Sequence, residues 1–164
     1  MRSAGTSPPE LPSDDPIGLQ SFAVLLRAMN AEFNRIAQEF AHAQGLHLTD
    51  VQALIAVLDA ERDQAAGPMT PGRLSTHMNL TSGATTACLD RLEKAGHIRR
   101  VRAADDRRVV HIHYAQAGRE AAREYFRPLA RCTDAARARF SPDELHTIVR
   151  FLNEMNGELS RVRR

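Results

Sequence analysis

Only one stretch of the chain alternates. Two short runs rich in β-branched residues, Ile98 to Arg102 and Val109 to Tyr114, flank a polar tip, Ala103-Ala104-Asp105-Asp106. A period of two marks a half-buried strand, and two such runs about a polar turn predict a hairpin. Val110, Ile112 and Tyr114 then share one face, with Val109, His111 and His113 on the other. Elsewhere the apolar residues recur at three and four. An isolated hairpin is marginal in water and must pack on something. The chain is therefore expected to be mainly α, an α+β fold of about six helices with one two- or three-stranded sheet.

The helices have legible ends. Asp15-Pro16 reads as a cap and a first-turn proline. The stripe Phe22, Leu25, Leu26, Met29, Phe33, Ile36, Ala37 and Phe40 runs to Gly45. At ~1.5 Å per residue such a helix spans ~43 Å, longer than a small domain needs, so its stripe is expected to pack beyond its own domain. Thr49-Asp50-Val51-Gln52 has the spacing of a capping box, with Val51, Leu54, Ile55 and Leu58 as the apolar face behind it. Ala65-Ala66-Gly67-Pro68 breaks that helix. Thr70-Pro71 opens a short third one carrying Leu74 and Met78. Asn79-Leu80 turns the chain, and Thr81 caps a fourth helix that Gly96 stops. A fifth runs from about Gln116 to Ala138, with Pro128 inside. Ser141-Pro142-Asp143-Glu144 starts a sixth, with Leu145, Ile148, Val149, Leu152, Met155 and Leu159 along one side.

These signals divide the 164 residues into a flexible tail (1–15), an N-terminal helix (16–47), a central domain (48–115) and C-terminal helices (116–164). The tail is rich in Pro, Ser, Gly and Asp and has too little apolar surface to offset ordering entropy. No apolar run is long enough to cross a membrane, and nothing at the N-terminus resembles a secretory signal. The expected location is cytoplasmic, with no membrane partner. Cys88 and Cys132 cannot build a disulfide framework and read as two small buried hydrophobes in a reducing compartment. His111 and His113 share a strand face, but two imidazoles fall short of the four ligands of a zinc site. No metal, cofactor or enzymatic activity is expected, since no nucleophile elbow, HExxH or phosphate loop occurs.

Charge is uneven. Between Pro71 and Tyr114, eight basic residues (Arg73, Arg91, Lys94, Arg99, Arg100, Arg102, Arg107, Arg108) face four acids (Asp90, Glu93, Asp105, Asp106), while the whole chain is only +2. A basic centre between slightly acidic flanks fits an element that faces nucleic acid. The order within it is helix, tight turn, helix, hairpin. A helix fits the major groove and enters N-terminus first. On the fourth helix, 100° steps place Ala84, Cys88, Leu92 and Ala95 on a core stripe, with Leu89 at its margin. Ser82, Gly83 and Thr86 fall outside it, and Thr85 lies at the edge. A tip arginine can enter the minor groove, strand-end arginines can neutralise phosphates, and Asp106 can brace an arginine two residues on.

Two segments carry a resemblance. Asp106-Arg107-Arg108-Val109-Val110-His111-Ile112-His113-Tyr114-Ala115-Gln116-Ala117-Gly118 is similar to the wing-to-helix signature of MarR-type regulators, roughly D-R-R-x-V-x-V-x-L-T-x-x-G. Leu80 to Thr86 and Asp90-Arg91-Leu92-Glu93-Lys94-Ala95-Gly96 resemble their recognition helix. The resemblance covers about residues 17–160. It implies a winged helix-turn-helix protein, homodimeric through its terminal helices, that binds double-stranded DNA at a pseudo-palindromic operator, usually as a repressor. It also implies a small effector, often aromatic or anionic, at a site left unassigned. By position it makes Ser82, Gly83, Thr85 and Thr86 groove-facing, Arg107 or Arg108 the wing arginine, and Asp106 its organiser; Arg91, one of the central basic residues, is a further expected DNA-binding residue. Ala87 stands where many members carry arginine, and Ala115 where they carry a capping threonine, so a shifted or frayed start of the fifth helix is expected.

Two rival readings keep the DNA contact and change the control. One is a constitutive DNA-binding protein without an effector. The other is a thiol-based redox sensor acting through Cys88 or Cys132.

Overall fold

A computed structural model describes residues 9–11, 15–63 and 67–162; most of the expected tail and half of the 65–68 break lie outside them. The first helix, α1 (Leu19–Ala43), begins three residues later than Asp15-Pro16 suggests. The carbonyl of Asp15 instead closes a turn, accepting from Gly18 N at 3.2 Å and from the buried Ser21 Oγ at 2.8 Å. The helix ends where Gly45 takes a φ of 65°, a left-handed conformation that costs glycine little.

Helix α2 (Leu48–Arg62) is capped from His47, not Thr49: the Asp50 carboxylate accepts from the His47 backbone N–H at 2.9 Å. Asp50, Val51, Ala53, Leu54, Ala56 and Val57 are all buried, so α2 is covered over much of its circumference, with alanines allowing close neighbours. Ile55, expected in the apolar face, is 51% exposed. Helix α3 (Pro71–Met78) follows, with Thr70 Oγ1 accepting from Arg73 N, and then α4 (Ser82–Lys94).

Strands β1 (Ile98–Arg102) and β2 (Val110–Tyr114) pair antiparallel, Ile98 opposite Tyr114 and Arg102 opposite Val110. The place of a third strand is taken by a single bridge from Met69, whose carbonyl accepts from Ile112 N at 2.8 Å. Ile112 and Tyr114 face inward as the alternation requires. The core gathers Phe40 of α1, Leu54 and Val57 of α2, Leu74 of α3, Leu89 and Leu92 of α4 and Ile112 of β2, all at most 2% exposed. Each such side chain contributes about 1.5–3 kcal/mol on burial.

Helix α5 (Gln116–Arg137) contains Pro128, and α6 (Pro142–Val162) follows. The chain divides into two compact units, one through Arg119 and one from Glu120. Despite Ala115, α5 starts in register: Ala115 N donates to the His97 carbonyl at 2.8 Å, which holds the entry without a hydroxyl cap. Gly118 lies against the same turn, so close that a Cβ would sit 2.7 Å from His97 Cα. That contact gives the glycine of the wing-to-helix signature its physical reason.

In the second unit the Ser141 box is complete. Ser141 N and Oγ both donate to Glu144 Oε2 at 2.8 Å, and Glu144 N returns a bond to Ser141 Oγ at 3.3 Å. These bonds hold the Glu144 carboxyl below its ordinary range. Cys132 is exposed, not buried. Among the described residues no helix is long and apolar enough to cross a membrane.

Candidate nucleic-acid interface

The turn between α3 and α4 is fixed by short bonds. Asn79 takes a φ of 52°, Leu80 N donates to the Ser75 carbonyl at 3.0 Å, and Ser75 Oγ donates to the Leu80 carbonyl at 2.7 Å. Thr81 Oγ1 then caps α4, accepting from Ala84 N at 3.2 Å. The remaining first-turn N–H groups point out of the helix end, where a phosphate oxygen is favoured by charge and geometry.

The phase of α4 differs from the sequence expectation. The buried line is Thr85, Cys88, Leu89 and Leu92, while Ala84 and Ala95 are exposed. Thr85 is therefore a core residue, 2% exposed, with Oγ1 donating to the Thr81 carbonyl at 2.9 Å. It cannot face a groove. Ser82, Gly83 and Thr86 are exposed, as is Ala87. Thr86 Oγ1 donates to the Ser82 carbonyl at 3.0 Å, and the residue stays exposed.

Arg91 is also drawn inward. Its Nε and Nη2 bond the two oxygens of the fully buried Asp50 at 2.9 and 2.7 Å, and its side chain is only 38% exposed. The pair ties the start of α2 to the last turn of α4. Burial pushes the Asp50 carboxyl up, but Arg91, the His47 N–H and the Cys88 thiol outweigh it, and the group stays below its ordinary range. The same surroundings act oppositely on Cys88. Burial, and then the Asp50 carboxylate, push its thiol up to about 12. A thiol so raised is almost wholly protonated at neutral pH and a poor nucleophile, so the redox reading gains nothing from Cys88.

At the hairpin tip Asp106 braces Arg108. Its Oδ1 accepts from Arg108 N at 2.9 Å and from Arg108 Nε at 3.2 Å, and these bonds lower the Asp106 carboxyl. The Arg108 side chain is nonetheless 91% exposed, a guanidinium aimed but not covered. Arg107 is exposed and has no side-chain partner among the described residues. Arg99 and Arg102 are exposed on β1. Arg100, expected at phosphates with them, turns back onto α4 and bonds Asp90.

Three residues that hold this surface carry no local sequence signal for their partners. Asp50 meets Arg91 across 41 positions. Glu61 of α2 accepts from Tyr114 N at 2.9 Å and pairs with Arg119, whose guanidinium lies 5.1 Å from the Tyr114 ring centroid. His97 is 2% exposed and meets Phe40 edge-on at 6.0 Å. Burial lowers its imidazole, and Nδ1 has no partner. His111 and His113 lie 6.3 Å apart between ring centroids, with His113 Nδ1 3.8 Å from Glu61.

Known proteins resemble this chain in sequence and in fold. Residues 64–110 match the sequence model of the MarR family. An HTH-type transcriptional regulator of Bacillus subtilis, YcgE, itself uncharacterised, is 34% identical over 143 residues, covering 85% of this chain and 89% of its own. A MarR family protein from Bacillus stearothermophilus is 26% identical with a TM-score of 0.64, over 85% of this chain and 94% of that one. A MepR mutant from a multidrug-resistant S. aureus isolate superposes with a TM-score of 0.69 at 17% identity, over 84% and 96% of the two chains, and so speaks for the fold. Fold, interface and kinship converge, and the chain belongs to the MarR family of HTH-type transcriptional regulators.

Proposed function

We propose that this regulator binds a pseudo-palindromic operator as a homodimer and represses transcription from it. The observation that carries the reading is a pair of readers on one domain: the exposed start of α4 (Ser82, Gly83, Thr86) and an Asp106-braced Arg108 at the wing tip. The first suits a major groove and the second the narrow minor groove beside it. A structure of S. aureus MepR with DNA, similar in fold at a TM-score of 0.56, supports DNA as the partner.

Pairing is supported by apolar side chains left at the surface. Leu19, Leu25, Met29 and Phe33 on α1, and Val149, Leu152, Leu159 and Val162 on α6, are each more than 40% exposed. Residues 16–47 and 116–164 would supply the dimer contacts, and 48–115 the DNA-binding domain. A two-fold dimer sets its α4 helices about one DNA turn, ~34 Å, apart.

Salt dependence tests the DNA contact. Arg99, Arg102, Arg107 and Arg108 from two protomers give a slope of log affinity on log salt approaching about −7 if every one meets a phosphate. A slope near zero, or a monomer by light scattering, would overturn the reading. The effector proposal rests on the family likeness. A small aromatic or anionic ligand would favour a dimer whose helix spacing misfits the grooves, and it must bind that state better. Aromatic acids titrated into a gel shift test this; no response by any of them leaves the constitutive reading in its place.

A further inference from the structure

Arg100 is the one basic side chain of the wing strands turned away from solvent, and the residues it meets are all on the recognition helix. It stands opposite Ile112 in the hairpin register, on the inner face of the sheet. Its Nη2 bonds Asp90 Oδ1 at 2.6 Å, its Nη1 lies 3.5 Å from Glu93 Oε2, and its backbone N–H donates to Glu93 Oε1 at 3.0 Å. The side chain is 27% exposed. Asp90 and Glu93 are three apart and so share one side of α4. One guanidinium and one N–H from β1 therefore grip two successive carboxylates on that helix.

A two-stranded hairpin of five-residue strands has little rigidity of its own. Yet a reader with one foot in the major groove and one in the minor groove gains from the second foot only if the angle between them is fixed beforehand. We propose that Arg100 is a positioning residue for DNA recognition: acting through Asp90 and Glu93, it locks the wing to α4, so that Arg108 is delivered to the minor groove when α4 seats in the major groove. This deepens the DNA-binding reading and depends on it. It also gives the two acids on a DNA-facing helix a purpose, since uncompensated they would only repel phosphate.

The full-length protein and the duplex it enriches from a random-sequence pool at low salt provide the test. Arg100→Gln is expected to lower affinity about tenfold with an unchanged salt slope. A slope reduced by about 1.8, one contact of about 0.9 lost from each protomer, would show a direct phosphate contact and overturn the proposal. Arg108→Ala is expected to cost at least fivefold less in the Arg100→Gln background than in the wild type, because an unlocked wing no longer delivers its arginine. Equal costs in both backgrounds would overturn it.

A variant pair approached from the other side guards against a folding defect at Arg100. Asp90→Asn with Glu93→Gln removes two negative charges near DNA, so electrostatics alone predicts tighter binding. The proposal requires weaker binding by this pair and the same loss of coupling to Arg108, while Arg100→Lys, with both acids in place, should bind better than Arg100→Gln. Tighter binding by the Asn/Gln pair would refute it. A wild-type chain that retains no duplex at low salt would overturn the DNA-binding reading itself, whereas equal Arg108→Ala costs in both backgrounds would overturn only the role given to Arg100.

Discussion

Replacing Gly118 by alanine sets two well-defined effects against each other. Glycine inside a helix is about 0.8–1 kcal/mol less favourable than alanine, so propensity alone says the change stabilises α5. The structure says otherwise. A Cβ at position 118 would lie 2.7 Å from His97 Cα, 2.8 Å from its carbonyl oxygen and 3.1 Å from its carbonyl carbon. All three are backbone atoms, and that carbonyl also accepts the Ala115 N–H that starts the helix. Relief requires moving α5 off the turn, at about 1–3 kcal/mol for overpacking and about 1 kcal/mol for the strained bond. Less the propensity gain, about 1–3 kcal/mol of net destabilisation remains. For a chain of this size that lowers the melting temperature by roughly 2–4 °C per kcal/mol. Differential scanning calorimetry at fixed protein concentration measures it. Gly157→Ala in α6, where a Cβ meets nothing within 4 Å, is the control and should be neutral or slightly stabilising. A Gly118→Ala protein melting at or above wild type would refute the packing argument.

Other expectations follow from the same geometry. Thr86→Val should change operator preference in a binding-site selection while leaving the salt slope alone, whereas Thr85→Val, in the core, should leave preference unchanged. Asp50→Asn leaves a half-exposed Arg91 without its charge partner and should cost about 1–3 kcal/mol in urea unfolding. Because the Asp50 carboxyl lies below its ordinary range in the folded chain, the wild-type advantage is full above about pH 4 and fades as acid protonates it. The buried His97 works on a higher window. Its imidazole is lowered by burial, so the unfolded chain binds more protons below about pH 6.5, and stability falls as pH drops through that range. His97→Asn should flatten that slope; an unchanged slope would assign the loss to another group. Native protein treated with a maleimide at neutral pH should label Cys132 and spare Cys88.

Period and caps made the helices, the hairpin and the tight turn legible, because those signals are local. Their phase was less so. On α4 the expected core line lies about half of one 100° step from the observed one, enough to put Ala84 inside and leave Thr85 at the edge, where the structure exposes Ala84 and buries Thr85. Small residues caused this: alanine and threonine fit either environment, so the stripe was pinned by only Cys88 and Leu92. The start of α1 was misplaced because a cap signal at Asp15-Pro16 equally serves a turn, and Ser21 supplied the bond that chose the turn. Charged residues were hardest. Asp106 and Arg108 are two apart and their pairing was legible, but Asp50 with Arg91 and Glu61 with Arg119 meet across a fold. The sequence marks Arg91 and Arg100 as available cations, and only the packed domain shows that each is already engaged.

The bared leucines, methionine and valines of α1 and α6 bear on how the protein behaves on dilution. If each copy covers the other's stripes, folding and assembly belong to one equilibrium, and mass action makes the melting temperature climb with protein concentration. Scarcity would then weaken the regulator twice over, by thinning its numbers and by loosening each molecule that remains.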